Sequence, residues 1–267
     1  MNMNRKHMVW VIAGIIAGYF IPHIALAQSE TQKTQPVRER ILLNENWHFY
    51  KYPSSGIADN LIYDARPEYE GSNEYKVADA QPTEAIEKKN IREVLKPWIL
   101  PTGNPFIGDK TKQHVRPEGK PGADFAFVQS HFDDSGWQKI DLPHDWAIAG
   151  PFQAGPNSEV GGGMGRLPSN GVGWYRKKID FPLSDSGKTI YLDIDGAMSY
   201  SMVWLNGQLV GGWPYGYNSY RLDLSPYIVF GKENQLAIRL DNPNNSARWY
   251  PGGGLYRNVW LVKTNPV

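Results

Sequence analysis

A chain of 267 residues, 41% hydrophobic and 13% aromatic, is long and apolar enough to bury one substantial core or two small ones. Its formal net charge of +1, with no lysine-rich or arginine-rich stripe, gives no electrostatic ground for nucleic-acid binding. The absence of cysteine excludes a disulfide framework, a thiolate zinc cluster and a cysteine nucleophile, so core burial has to stabilise the fold.

The chain opens with Arg5 and Lys6 ahead of an apolar stretch that ends in the small residues Ala25 and Ala27. That pattern predicts a signal peptide over residues 1–27, cleaved after Ala27, and places the mature protein in a periplasm or outside the cell. The competing reading is an uncleaved anchor, which needs about 20 apolar residues in a row; Pro22 and His23 interrupt this stretch. Residues 28–40 are polar and aperiodic and read as a flexible leader. The domain proper is then expected over 41–267.

An opening strand is predicted around Trp47 to Tyr52, where aromatic and apolar residues reach strand density. Residues 53–124 are rich in proline, glycine and charge and read as a loop-rich insertion, expected to be the least ordered part of the mature chain. It contains one short helix, "TEAIEKKNIREVL", with Thr83 as cap and Pro97 as stop. From Phe125 the pattern changes to short alternating runs separated by turn residues. Strands are predicted in "WYRKKIDFP", "TIYLDIDGA", "SMVWLNGQLVGG", "YRLDLSPYI", "NQLAIRLDN" and "LYRNVWLVKT". Asn206 and Gly207 both tolerate positive φ and predict a type I′ hairpin with strands ending at Leu205 and restarting at Gln208. The fold class is therefore all-β, an antiparallel jelly roll or β-sandwich.

No complete catalytic set accompanies these strands. A glycosidase needs two facing carboxyl groups, and the obvious pairs are Asp133 with Asp134 and Asp193 with Asp195. The first pair sits in a turn-forming "FDDSGW" and the second on one face at a strand end, so capping and solvation account for them better than catalysis. His114, His131 and His144 are scattered among loops, without metal-ligand spacing. The glycines of "GGGMG" lack the lysine and the helix that a phosphate loop requires.

Two loops combine polar groups with aromatic rings: "LPHDWAIAGPF" and "SARWYPGGGLYR". Such a mixture suits sugars, since a ring covers the C–H face of a pyranose while charged groups take its hydroxyls. Trp213 and Tyr217 of "GGWPYGYNSYR" are assigned to the core or its rim. Asp145 and Arg248 are not, because an unpaired charge inside the core is costly.

Taken together, "FDDSGWQKIDLPHDWAIAGPF", "GVGWYRKKIDFP", "MVWLNGQLVGGWPYGYNSYRLDLSPYI", "NQLAIRLDN" and "SARWYPGGGLYRNVWL" resemble the N-terminal sugar-binding domain of glycoside hydrolase family 2. Within that family they look most like secreted β-galactosidase-type enzymes of gut Bacteroidetes. The resemblance implies a galactose-binding-like jelly roll, followed in the family by an immunoglobulin-like domain and a TIM barrel that bears the acid/base and nucleophile glutamates. Those two glutamates are not in this chain, so the resemblance implies a truncated enzyme, inactive alone, whose missing domains are supplied in cis or in trans. It further implies a terminal β-glycoside as ligand and no cofactor. Asp145 and Arg248 become the candidates for sugar contact, with Trp146, Trp249 and Tyr250 lining or supporting the rim. A free-standing carbohydrate-binding module, or an interaction domain that pairs with a barrel-bearing chain or with its own copy, are the alternatives.

Overall fold

In the computed structural model the described residues are 37–54, 57–59, 104–152, 167–242 and 252–266. They form two antiparallel sheets. The four-stranded sheet runs β1 (Arg38–Leu42), β10 (Val259–Thr264), β5 (Thr189–Ile194), β8 (Tyr220–Asp223). The six-stranded sheet runs β3 (Gln138–Ile140), β2 (Trp47–Lys51), β4 (Gly171–Phe181), β9 (Lys232–Asn242), β6 (Ser201–Leu205), β7 (Gln208–Trp213).

Alternation along the strands explains how the layers stack. Leu192, Ile194, Leu222 and Leu261 of the smaller sheet meet Phe49, Tyr175, Val203, Leu236 and Ile238 of the larger one in a single buried cluster. The intervening residues of the larger sheet, Trp174, Met202, Trp204 and Ala237, point the other way and build a second buried cluster with Val128, Phe125 and Phe127. Strands buried on both faces, such as β6 and β9, follow from this double use.

The hairpin between β6 and β7 has the predicted form, with Asn206 at φ 54° and Gly207 at φ 75°. The Asn206 side chain fixes the turn further: its Oδ1 accepts from Gln235 N at 3.0 Å and its Nδ2 donates to Asn234 Oδ1 at 2.6 Å.

Three expectations need revision. β1 begins at Arg38, inside the segment read as leader, because Arg38 to Leu42 pair with Thr264 to Trp260 and complete the edge of the smaller sheet. The short strand β3, paired to β2 through Ile140 and Trp47, carries too few apolar residues to be seen by periodicity. The described part of the 53–124 insertion, read as loop-rich, is tied into the larger sheet by specific contacts. Asp59 forms a buried ion pair with Arg239 at 2.8 Å and accepts from Trp174 Nε1 at 2.9 Å, while Pro121 O accepts from Trp204 Nε1 at 3.0 Å. These contacts cover the outer face of the larger sheet and supply acceptors to its two indole N–H groups and a second carboxylate, beside Asp241, to Arg239. The helix predicted between Thr83 and Pro97 and the "GGGMG" stretch lie outside the described residues.

Candidate functional site

The loop that follows β3 and the segment that leads into β10 are zipped together by their backbones. His144 N donates to Leu255 O at 2.8 Å and Trp146 N donates to Gly253 O at 2.8 Å. On its other side this segment bridges to Met198, with Met198 N donating to Gly254 O at 2.9 Å and Gly254 N to Met198 O at 3.1 Å.

Asp145 closes this arrangement. Its Oδ1 accepts from Ala147 N at 2.9 Å, which caps its own turn, and from Gly253 N at 3.0 Å, which ties the two segments. A carboxylate holding backbone N–H groups is a charge-assisted interaction, stronger than a neutral one.

Trp146 is half-buried and occupies the space that the glycines leave. Its indole N–H donates to Ser169 O at 2.8 Å, and its ring stacks on Phe49 with centroids 5.8 Å apart. A Cβ on Gly253 would stand 2.4 Å from Trp146 Nε1, and one on Gly173 would stand 2.8 Å from Trp146 Cζ3. Gly254, at φ +121°, would place a Cβ 2.5 Å from His144 O. The glycine run therefore exists to let Trp146 and the His144 backbone pack against it. Asn242 Nδ2 completes the frame by donating to Ser169 O at 2.8 Å and Gly252 O at 2.7 Å.

Tyr175 and His144 support the loop from below. The buried Tyr175 hydroxyl accepts from Leu255 N at 3.4 Å and lies 2.8 Å from His144 Nδ1. Burial raises the phenol's pKa well above its usual value and keeps it protonated. A protonated hydroxyl can donate to Nδ1 of a neutral imidazole or accept from its Nδ1–H, so the pair is satisfied with either tautomer. Burial also lowers the pKa of His144, against the opposing pull of Asp145, in keeping with a neutral ring.

Of the residues singled out in the sequence, Asp145 and Trp146 share this end of the sandwich, whereas Arg248, Trp249 and Tyr250 lie outside the described residues. Trp213 packs half-buried against the core, and Tyr217 pairs edge-on with the exposed Tyr215 at 5.3 Å. The carboxylate pairs are each engaged. Asp193 holds Arg221 at 2.6 and 2.7 Å, and Asp195 accepts from Trp260 Nε1 at 2.8 Å. Asp133 caps its turn through Ser135 N at 2.9 Å. Asp134 takes the buried Arg176 at 2.6 Å and His48 at 2.7 Å. No group of three or more histidine or carboxylate side chains converges as a metal site among the described residues.

Sequence reading missed Lys51. Trp47 and Phe49 alternate into the core and Lys51 is the next residue on that face, half-buried where the site lies. The alternation in "WHFYK" was the signal that could have found it.

A two-sheet antiparallel sandwich with its loops gathered in this way is a galactose-binding-like domain. Residues 170–250 match the family model described as glycosyl hydrolase 2 galactose-binding domain-like. The beta-galactosidase BoGH2A of Bacteroides ovatus is 47% identical over 141 residues, which are 52% of this chain and 16% of that protein. A putative beta-glucuronidase of Formosa agariphila is 42% identical over 141 residues, 52% of this chain and 13% of that protein. The crystal structure of a beta-glycosidase from Bacteroides vulgatus superimposes with a TM-score of 0.51 at 25% identity, covering 85% of this chain and 20% of that one. The matched region thus spans no more than a fifth of these relatives' length.

Proposed function

We propose that this chain is the sugar-binding part of an exported glycoside hydrolase that acts on terminal β-glycosides of the galactoside type. It supplies the rim of the active site and not the acid and nucleophile. The observation that supports this most is the Asp145 carboxylate, which ties the "PHDW" loop to Gly253 at the end of the glycine run. In this reading Asp145 and Arg248 face the terminal sugar, and Trp146 supports the rim from behind through Phe49, Gly173 and Gly253. Retaining hydrolysis needs two carboxyl groups about 5 Å apart. The described candidate pairs are instead committed to arginines, an indole and turn backbones. An immunoglobulin-like domain and a barrel, in cis or in trans, complete the enzyme.

The purified chain is expected to release no aryl alcohol from aryl β-galactosides while giving weak saturable binding of methyl β-galactoside by calorimetry. In an enzyme that joins this domain to a complete barrel, Asp145→Ala should lower kcat/KM by about tenfold or more, as loss of a hydrogen bond to a charged group does. Turnover by the chain alone, or unchanged kinetics in Asp145→Ala, would overturn this reading.

A further inference from the structure

Among the described residues, Lys51, Lys177 and Lys263 lie buried or half-buried on the inward side of their strands, and the last two have acidic or carbonyl partners. Lys263 reaches Asp185 at 2.7 Å; Lys177 donates to Glu45 O at 2.6 Å, and the charges of Glu45 and Asp141 offset part of the burial that still lowers its pKa. Lys51 differs. It follows Trp47 and Phe49 on the inward side of β2, opposite Gly173 of β4, and its stem lies across Gly171, where a Cβ would stand 2.9 Å from Lys51 Cε. Its ammonium sits 5.7 Å from the centroid of the Trp146 ring. Among the described residues no carboxylate lies within ion-pair distance of it, and burial alone shifts its pKa, downward. A half-buried ammonium with only a ring face for company is poorly compensated. A strand position that alternates inward would ordinarily hold an apolar side chain.

We propose that Lys51 is a specificity-determining residue of the sugar site, an ammonium that recognises an oxyanion substituent, carboxylate or sulfate ester, on a saccharide bound at the rim. This rests on the reading of that rim as the sugar site. The geometry suits the role. The lysine sits against Trp146, the ring of the "PHDW" loop, and no charge of Asp145 figures among the causes that shift its pKa. A cation on a flexible stem takes an anion as a point charge, which fits a substituent that projects from a ring and not a planar bidentate pair. Partial desolvation strengthens the attraction relative to an exposed lysine.

The test compares matched glycosides on the full purified chain at low salt: methyl β-galactoside, methyl β-galacturonide and methyl β-galactoside 6-sulfate. Binding is followed by NMR on the lysine Cε–Hε signals, with Lys51 assigned through Lys51→Met. The wild type should bind at least one anionic glycoside about tenfold more tightly than the neutral one, with the Lys51 signal moving. Lys51→Met should abolish that preference, and Lys51→Arg should restore it. The galacturonide and sulfate arms decide which oxyanion is taken. Equal binding of all three with a stationary Lys51 signal overturns this proposal and leaves the rim as a sugar site. Absence of binding by any of the three overturns both.

Discussion

At one end of the sandwich the 3₁₀ turn Leu183–Asp185 sets a buried carboxylate between two lysines, and at the other Lys51 reaches the inner face with no carboxylate among the described residues to meet it. The first end satisfies its charges: Asp185 Oδ1 takes Lys188 at 2.8 Å and Oδ2 takes Lys263 at 2.7 Å. The second spends its tightest packing on holding two loops together, through Asp145, Trp146 and the glycines, and leaves a cation beside them. One end is built for stability alone. Strained or uncompensated groups concentrate where a protein binds its ligand, so the contrast itself points to the second end.

Breaking the compensated end should have the largest effect. Asp185→Ala leaves Lys188 without its carboxylate and Lys263, only 10% exposed, with Glu39 alone at 4.0 Å, and should cost about 3 kcal/mol in urea unfolding, the low end for loss of one partner of a buried pair. The pH dependence carries the same signature. Burial works to raise the pKa of Asp185, but the hydrogen bonds and charges of Lys188 and Lys263 outweigh it and hold the carboxyl below its ordinary 3.8. A depressed carboxyl pKa contributes stability that is complete above about pH 4 and is lost as pH falls through the folded value. Stability of the wild type should therefore fall more steeply below pH 4 than that of Asp185→Ala. Parallel acid limbs would show that Asp185 is not what compensates these lysines.

A smaller effect is expected from Gly253→Ala at the site end. The added methyl stands 2.4 Å from Trp146 Nε1, so the indole or the backbone has to move, at a cost of about 1–3 kcal/mol. Thermal unfolding reads the loss. The same change in a Trp146→Ala background should cost less, since the clash is gone. Gly187, near the compensated end, gives the control: at φ +86° with no atom within 4 Å of an added Cβ, its alanine variant meets only the backbone cost, about 1 kcal/mol. A Gly253→Ala cost that survives in the Trp146→Ala background would mean that the glycine serves the backbone and not the indole.

The same contrast explains what the sequence could and could not reveal. The strands from β4 onward were legible because each buries at least one face and is closed by turn residues, with Asn206 and Gly207 the clearest case. β1 was hidden because Arg38, Glu39 and Arg40 stay exposed along an edge and are specified by pairing with β10 and not by burial. The insertion's role was hidden because Asp59 finds Arg239 across 180 residues, a contact no local pattern carries. At the site, "PHDW" and the glycine run were each visible as unusual loops. Their mutual fit, in which Gly253 makes room for Trp146 and donates to Asp145, exists only once the fold brings them together. Lys51 was the readable residue that went unread.

The smallest expected effect is the most telling for the comparison. Lys51→Met should stabilise the chain slightly, since an apolar side chain of similar length replaces a half-buried cation with no carboxylate among the described residues. The sign has a pH test. Burial lowers the Lys51 pKa below its ordinary 10.5, so the fold disfavours the charged form at neutral pH. The unfolded chain then binds the proton more tightly, and stability of the wild type rises as pH climbs through the folded value toward 10.5. The gap between wild type and Lys51→Met should narrow over that same interval. Lys263→Met should behave in the opposite way and destabilise, because it removes a partner from Asp185 and not a penalty. If both methionine variants lose stability alike, Lys51 is compensated as fully as Lys263, and the two ends of the sandwich differ in packing but not in charge.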